Sequence, residues 1–255
     1  MEQLLASVSP TLRGLVERIH RDDFFFVNVG ANDGVSNDVI YPFLRVYGWR
    51  GVVVEPLAPV FEELKRNYRD FPGVAFEHAA IAATPRPFYY IPAESGFDRA
   101  WTRQVGTLNP DYLLKTIELQ RVYEFNGPVP VDLETAVRPV EIPCLTFEAL
   151  MRKHRVEHID FLNIDAESAD YEIFCSIDFS RYHPSVMCVE TSEMTAEQRR
   201  DFEQRLAQLD YAFVEPFDIF SGIYARRVLL SRPSRVAALG QQVREHARRM
   251  IGRGR

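Results

Sequence analysis

Three features of the sequence predict an α/β fold of the doubly wound, mostly parallel kind. The run 24–29, Phe-Phe-Phe-Val-Asn-Val, is short and apolar on both faces, as a central strand covered by helices must be. It ends in a turn of small residues, Gly30-Ala-Asn-Asp-Gly34, from which helical sequence opens. Strand-like and helix-like runs then alternate along most of the chain, the pattern of a parallel sheet with crossover helices.

The 255 residues, 46% hydrophobic and 26% charged, suit one large domain with insertions and a core that needs no staples. A net charge of −6 gives no case for nucleic acid as partner. Cys144, Cys175 and Cys188 are widely spaced in apolar contexts and read as thiols of a reducing compartment, not as a disulfide framework. No run reaches membrane-spanning length and the start lacks a signal pattern, so the expected location is the cytoplasm.

Residues 1–23 carry Leu4, Leu5, Val8, Leu12, Leu15, Val16 and Ile19 at helical spacing, broken by Pro10, and are expected to pack as a helical segment on the main domain, 24–230. Gly30 and Gly34 can take positive φ or let a ligand approach the backbone. Ser36, Asn37 and Asp38 are cap candidates for a helix over 37–47. The second strand, 51–54, ends in Glu55-Pro56, where an acid can hold ribose hydroxyls by charge-assisted hydrogen bonds. A helix over 59–67 follows, and 73–82 is read as the third strand with its tip, carrying His78, Ala79 and Ala80. A short strand is expected at 88–91.

Residues 92–140 break the rhythm and read as a long irregular insertion with one helix near 110–123, placed over the acceptor pocket as a lid. Arg99, Trp101, Arg103, Lys115 and Arg121 are its candidate acceptor contacts, with a solvated surface the competing reading for each. The rhythm resumes with a helix at 147–154, a strand at 159–164 ending in Asp165-Ala-Glu167, a helix from Asp170 and a strand at 185–189 ending in Glu190. Thr195 caps a helix over 195–209, and 211–214 with 222–225 form an antiparallel pair. The tail 231–255 reads as a basic helix; from Arg226 onward there are nine arginines against the single acid Glu245, and a second subunit is one candidate surface for it.

Ligands of parallel sheets bind beyond the C-terminal ends of the strands. The polar groups expected there are Asn28, Asn32 and Asp33 in the first turn, Glu55, Asp165 with Glu167, Glu190 and His78. So many acids favour a cationic ligand or a divalent metal and disfavour a pyrophosphate. A sulfonium cofactor with an adenosine and an amino-acid tail fits best. A nucleotide-cofactor oxidoreductase or epimerase, and a degenerate fold kept as a scaffold, are the competing readings.

The motifs resemble those of FkbM-type S-adenosylmethionine-dependent methyltransferases. Val27-Asn-Val-Gly-Ala-Asn-Asp-Gly34 is similar to the family's first motif, Val54-Glu-Pro56 with Phe61, Leu64 and Asn67 to its second, and Val105-Gly-Thr-Leu108 with Lys115 to its insertion motif. Residues 159–167, Ile-Asp-Phe-Leu-Asn-Ile-Asp-Ala-Glu, resemble its Ile-Asp-x-Leu-Lys-Ile-Asp-x-Glu segment. Asn28 stands where the pattern has Asp, Asn163 where it has Lys, Ser168 where it has Gly and Asp170 where it has Glu.

The resemblance implies a Rossmann-like class I methyltransferase fold, a seven-stranded sheet with an antiparallel last strand, and methyl transfer to a hydroxyl of a sugar, glycan or polyketide-type molecule. It implies that Asn28, Gly30, Asn32, Asp33, Gly34, Glu55, Pro56, Ala79, Ala80 and Asp165 hold the cofactor. Asp165, Glu167, Glu190 and His78 are the candidates for base or acceptor clamp, and a magnesium-like ion on the three acids stays open.

Overall fold

The structure is a computed structural model that describes residues 4–92, 102, 105–124 (side chains to 117) and 136–230. Trp101, Arg99, Arg103, the Arg121 side chain and the tail 231–255 lie outside the described residues.

The central sheet has seven strands. They are β1 (Phe25–Val29), β2 (Arg50–Val54), β3 (Val74–Glu77), β9 (Phe161–Ile164), β10 (Val186–Glu190), β11 (Tyr211–Pro216) and β12 (Ser221–Arg226), in the order β11-β12-β10-β9-β1-β2-β3. β12 runs antiparallel to both neighbours, and the other pairings are parallel. The chain steps outward from β1 to β3 on one side and from β9 to β10 on the other. The switch point therefore lies between β1 and β9, whose C-terminal ends open the crevice where ligands of such sheets bind.

Strand alternation builds two cores. Val27, Val29, Val52, Leu162, Ile164 and Met187 face the helices α5 (Phe147–Lys153), α6 (Asp170–Ser176) and α7 (Ala196–Gln208). Phe26, Val53, Phe161 and Val186 face α1 (Pro10–Ile19), α2 (Tyr41–Tyr47) and α3 (Ala58–Asn67). Leu12, Leu15 and Val16 of α1 are buried there, so the N-terminal helix completes one face of the sheet. Thr195 and Gln198 close a reciprocal capping box on α7.

Three sequence expectations change. Helix α2 starts at Tyr41, not near residue 37, because Asn37 has φ +53 and Asp38 caps from outside, its Oδ1 accepting from the N–H of Ile40 (2.6 Å) and Tyr41 (2.7 Å). The third strand breaks at His78, and its tip forms β4 (Ala80–Ile81), paired in parallel with β8 (Cys144–Leu145). The insertion is more regular than its sequence: β6 (Gly106–Thr107) and β7 (Arg138–Val140) flank β5 (Phe88–Tyr90) in an antiparallel sheet, with α4 (Pro110–Glu124) against it. Strands of two or three residues are too short to show a period. No described helix is long and apolar enough to cross a membrane.

Candidate functional site

The turn after β1 is shaped by its neighbours. Gly30 has φ +77, and a Cβ there would lie 1.7 Å from the carbonyl oxygen of Asp165, so the close approach is that of β9's own backbone. Asn32 follows in the left-handed region, and its N–H donates to Glu55 Oε2 at 3.1 Å. The N–H of Leu57 donates to Glu55 Oε1 at 2.7 Å. Glu55 is thus pinned at the tip of β2, 6% exposed, with one backbone donor on each oxygen. Burial pushes its pKa up to about 7 against the pull of those two donors.

A cavity of about 610 Å³, counted with its open solvent, lies at this edge. The structure brings Gly30, Asn32, Glu55 and Pro56 to it from the first two strand ends, Ala79 and Ala80 from the third, and Asp165 and Glu167 from β9. Ile81 and Phe88, with Gly106 and Leu108 of the insertion, add an apolar wall that sequence reasoning did not assign to the site.

The β9 tip is held in a costly shape. Glu167 (φ +50) and Ser168 (φ +84) both have left-handed backbones, a conformation worth roughly 1–3 kcal/mol of strain per residue. Asp170 offsets this by accepting the N–H of Ala166 (2.7 Å) and Ser168 (3.1 Å), and Thr107 Oγ1 donates to the carbonyl of Glu167 at 2.5 Å. The Tyr112 hydroxyl of α4 donates to Glu167 Oε2. Neither Thr107 nor Tyr112 carried a sequence signal that marked it out, beyond Thr107 lying in the insertion motif.

Five of the predicted residues, Asn28, Asp33, Gly34, His78 and Glu190, are not at the cavity wall. Asn28 is fully buried beneath it: its Nδ2 donates to Asp38 Oδ2 (2.8 Å) and its Oδ1 accepts from Asn163 Nδ2 (2.9 Å). Asp33 ties the turn, accepting the N–H groups of Val35 and Ser36, while Asn67 donates to its carbonyl. Gly34 makes room for Leu64 and Tyr68, each within 2.5 Å of where a Cβ would be. His78 stacks on Phe61 at 4.8 Å, with Nε2 2.9 Å from the Pro56 carbonyl, which requires the proton on that nitrogen.

Glu190 lies behind the β9 tip, beside Ser168, Asp170 and Glu193. Burial, then the charges of Asp170, Asp165 and Glu167, push it up to about 10. The Ser192 hydroxyl donates to its Oε1 at 2.7 Å, and its Oε2 meets no described partner. Burial raises Asp165 to about 6, with the Glu190 hydrogen bond pulling down. Glu167 reaches about 7 through burial and then Asp165. Among the described residues no group of three acid, His or Cys side chains is arranged to hold a metal.

These acids bind protons more tightly when folded, so their contribution to stability is full below their ordinary values near 4 and is lost as pH rises through the folded ones. Glu55 alone, shifted from 4.5 to about 7, corresponds to roughly 3 kcal/mol at 1.36 kcal/mol per unit. The ligand-free protein is therefore expected to unfold roughly 10 °C lower at pH 8 than at pH 5. A thermal midpoint that rises over that interval would contradict the burial of these groups.

The sequence profile of the methyltransferase FkbM domain matches residues 28–214. No curated protein matches. Among solved structures, similar chains include a methyltransferase FkbM from Methylobacillus flagellatus KT, 11% identical with TM-score 0.46, which covers 80% of this chain and 44% of its own. This chain thus spans less than half the length of that one. Fibrillarin from Aeropyrum pernix with natively bound S-adenosyl-L-methionine is 13% identical with TM-score 0.39, covering 87% of this chain and 76% of its own. A putative RNA methyltransferase from Pyrococcus horikoshii is 12% identical with TM-score 0.39, covering 88% and 81%. The domain match runs from the Asn28 strand through β11 and takes in every acid of the cavity: the chain belongs to the FkbM methyltransferase family.

Proposed function

We propose that this protein is an S-adenosylmethionine-dependent O-methyltransferase acting on a hydroxyl of a small molecule of the sugar, glycan or polyketide kind. The observation that carries the reading is Glu55, a buried carboxylate fixed by two backbone N–H groups at the lip of the cavity. Each of its oxygens keeps a lone pair for a ribose hydroxyl, and no side-chain motion is needed to present them. Ala79, Ala80, Ile81 and Phe88 give an apolar slot of the kind a purine needs. Asp165 and Glu167 bring negative charge that suits an ammonium and a sulfonium and repels phosphate.

Bound there, S-adenosylmethionine supplies a methyl group on a cationic sulfur, whose transfer to an acceptor oxygen leaves the neutral thioether and one proton to be taken up. Asp165 and Glu167 sit near neutrality, where a carboxylate can accept that proton and release it again. Tyr112 with Thr107 fixes Glu167.

The test is calorimetric titration with S-adenosylmethionine, S-adenosylhomocysteine and NAD(P)H. Binding of the first two alone is expected. Glu55→Ala should weaken it by tenfold or more, since hydrogen bonds to a charged group contribute about 1.5–3 kcal/mol each. Affinity should also rise from pH 6 to pH 8 as Glu55 ionises. Unchanged affinity in the variant would remove Glu55 from the ribose, and NAD(P)H binding would overturn the reading.

A further inference from the structure

β12 ends at Arg226, and the helical turn Arg227–Leu230 follows it. Leu229 of that turn packs against the core cluster of α1 and α2, and its carbonyl accepts from Arg18 Nη1 of α1 at 3.0 Å. The chain therefore leaves the described residues on the α1 face of the sheet. On that face a concavity of about 1390 Å³, counted with its open solvent, runs between the N-terminal segment, the 35–45 segment and the β11–β12 turn. We propose that this groove is the docking site of the chain's own basic tail, 231–255.

The apolar surfaces are complementary. Leu12 and Val39, both members of the α1–α2 core cluster, form the floor, and Leu4 (42% exposed), Val35 (40%) and Phe220 (52%) form the rim. Several large apolar side chains around one concavity are uncommon on a monomer with nothing to cover them. In the tail, Val236, Leu239, Val243, Ala247 and Met250 recur at three- and four-residue spacing, which is one stripe of a helix.

The charges are complementary as well. The tail has seven arginines against Glu245, which is +6 in a chain of net −6 and leaves −12 on residues 1–230. Asp218 lines the groove; its Oδ1 accepts the N–H groups of Phe220 and Ser221, and among the described residues no donor is bonded to Oδ2. Ser7 and Asn37 offer further acceptors at the edge. Arg235, Arg244 and Arg248 border the apolar stripe of the tail and can supply donors to that carboxylate. The one basic side chain of the lining, Arg45, donates to the Tyr41 hydroxyl at 3.2 Å and lies over the Tyr41 ring.

The tail also has the reach. The groove lies beyond the first residue of β12, Ser221, and the tail departs after its last, Arg226. That strand is roughly 17 Å long at 3.3 Å per residue. Residues 231–235, extended, cover about the same distance, which is enough to bring Val236 to the groove. A segment tethered this closely acts at an effective concentration on the order of millimolar, an advantage that neither a second copy nor another macromolecule has.

The experiment uses the full chain with Phe220 or Val35, both exposed rim positions, exchanged for p-benzoyl-L-phenylalanine and irradiated. Each is expected to give a photo-crosslink at the mass of one chain, mapped by mass spectrometry to residues 236–250. Adding Leu239→Asp with Val243→Asp should lower the yield tenfold or more, since these two carry the middle of the stripe. No crosslink to the tail from either position, or a yield indifferent to the paired substitution, would overturn the proposal. So would a product at twice the mass, because a second copy would then fill the groove. Capture of the full chain by vesicles of phosphatidylserine and phosphatidylcholine in equal parts, with loss of the crosslink, would assign the tail to an anionic membrane instead and overturn it too.

Discussion

Asp165→Asn is expected to lower turnover by about 100-fold or more, the range a positioned general base contributes, while cofactor affinity changes by less than tenfold. The substitution keeps the size of the side chain and removes the carboxylate to which the proposed mechanism gives the acceptor's proton. The pH profile separates this role from a structural one. Asp165 at about 6 and Glu167 at about 7 are both raised first by burial, and the charge of Asp165 bears on Glu167 and on Glu190. The parent's rate should therefore climb through pH 6 to 7 as the cluster loses a proton, an apparent constant that belongs to the pair and not to one residue. In Asp165→Asn that limb should move or flatten, because one partner of the coupled titration is gone. A variant with full turnover and the parent's pH profile would take Asp165 out of the chemistry. Glu167→Gln is the companion: its carboxyl is held by the Tyr112 hydroxyl, so an amide there keeps that donor's partner and isolates the loss of charge.

What could be read in the sequence was what is local. The β1 run, the Gly30 turn, Glu55 and the Asp165–Glu167 tip each announce themselves within a few residues, as an apolar stretch followed by a small or acidic one. Their order along the chain also fixes which strand ends they occupy. What could not be read depends on register between distant segments. Asn28 lies across from Asn163 because β9 is β1's neighbour, a relation spanning 135 positions of chain. Asp38 looked like a helix cap and is one, yet its other oxygen reaches Asn28, which no local pattern reveals. Gly30 was legible as a turn residue, but the group that requires it is the Asp165 carbonyl. The insertion hid β6 and β7 in strands of two or three residues, and with them Tyr112, Thr107 and the Gly106 and Leu108 part of the apolar wall.

Asn28→Asp tests the least local of these relations and should be the most destabilising conservative change in the site. Asn28 is fully buried and uses both ends of its amide, giving Nδ2–H to Asp38 and taking Nδ2–H from Asn163. An aspartate keeps the acceptor and replaces the donor by a second carboxylate facing Asp38. An uncompensated buried charge costs about 3–5 kcal/mol. In a chain of this size the unfolding midpoint should fall by roughly 10 °C or more. The structure also says what should repair it. Asn163→Lys places an ammonium beside the new carboxylate, and alone it buries a charge against a neutral amide. Each single variant is therefore expected to be less stable than the double, with a coupling energy of about 2 kcal/mol or more in a double-mutant cycle. Asp and Lys are the residues the family resemblance expects at these two positions, so the double variant restores that pattern. The cofactor supplies the contrasting readout. Because Asn28 points away from the cavity, Asn28→Asp should not tighten S-adenosylmethionine binding. Tighter binding with undiminished stability would mean that residue 28 faces the ligand and that its bond to Asp38 is dispensable.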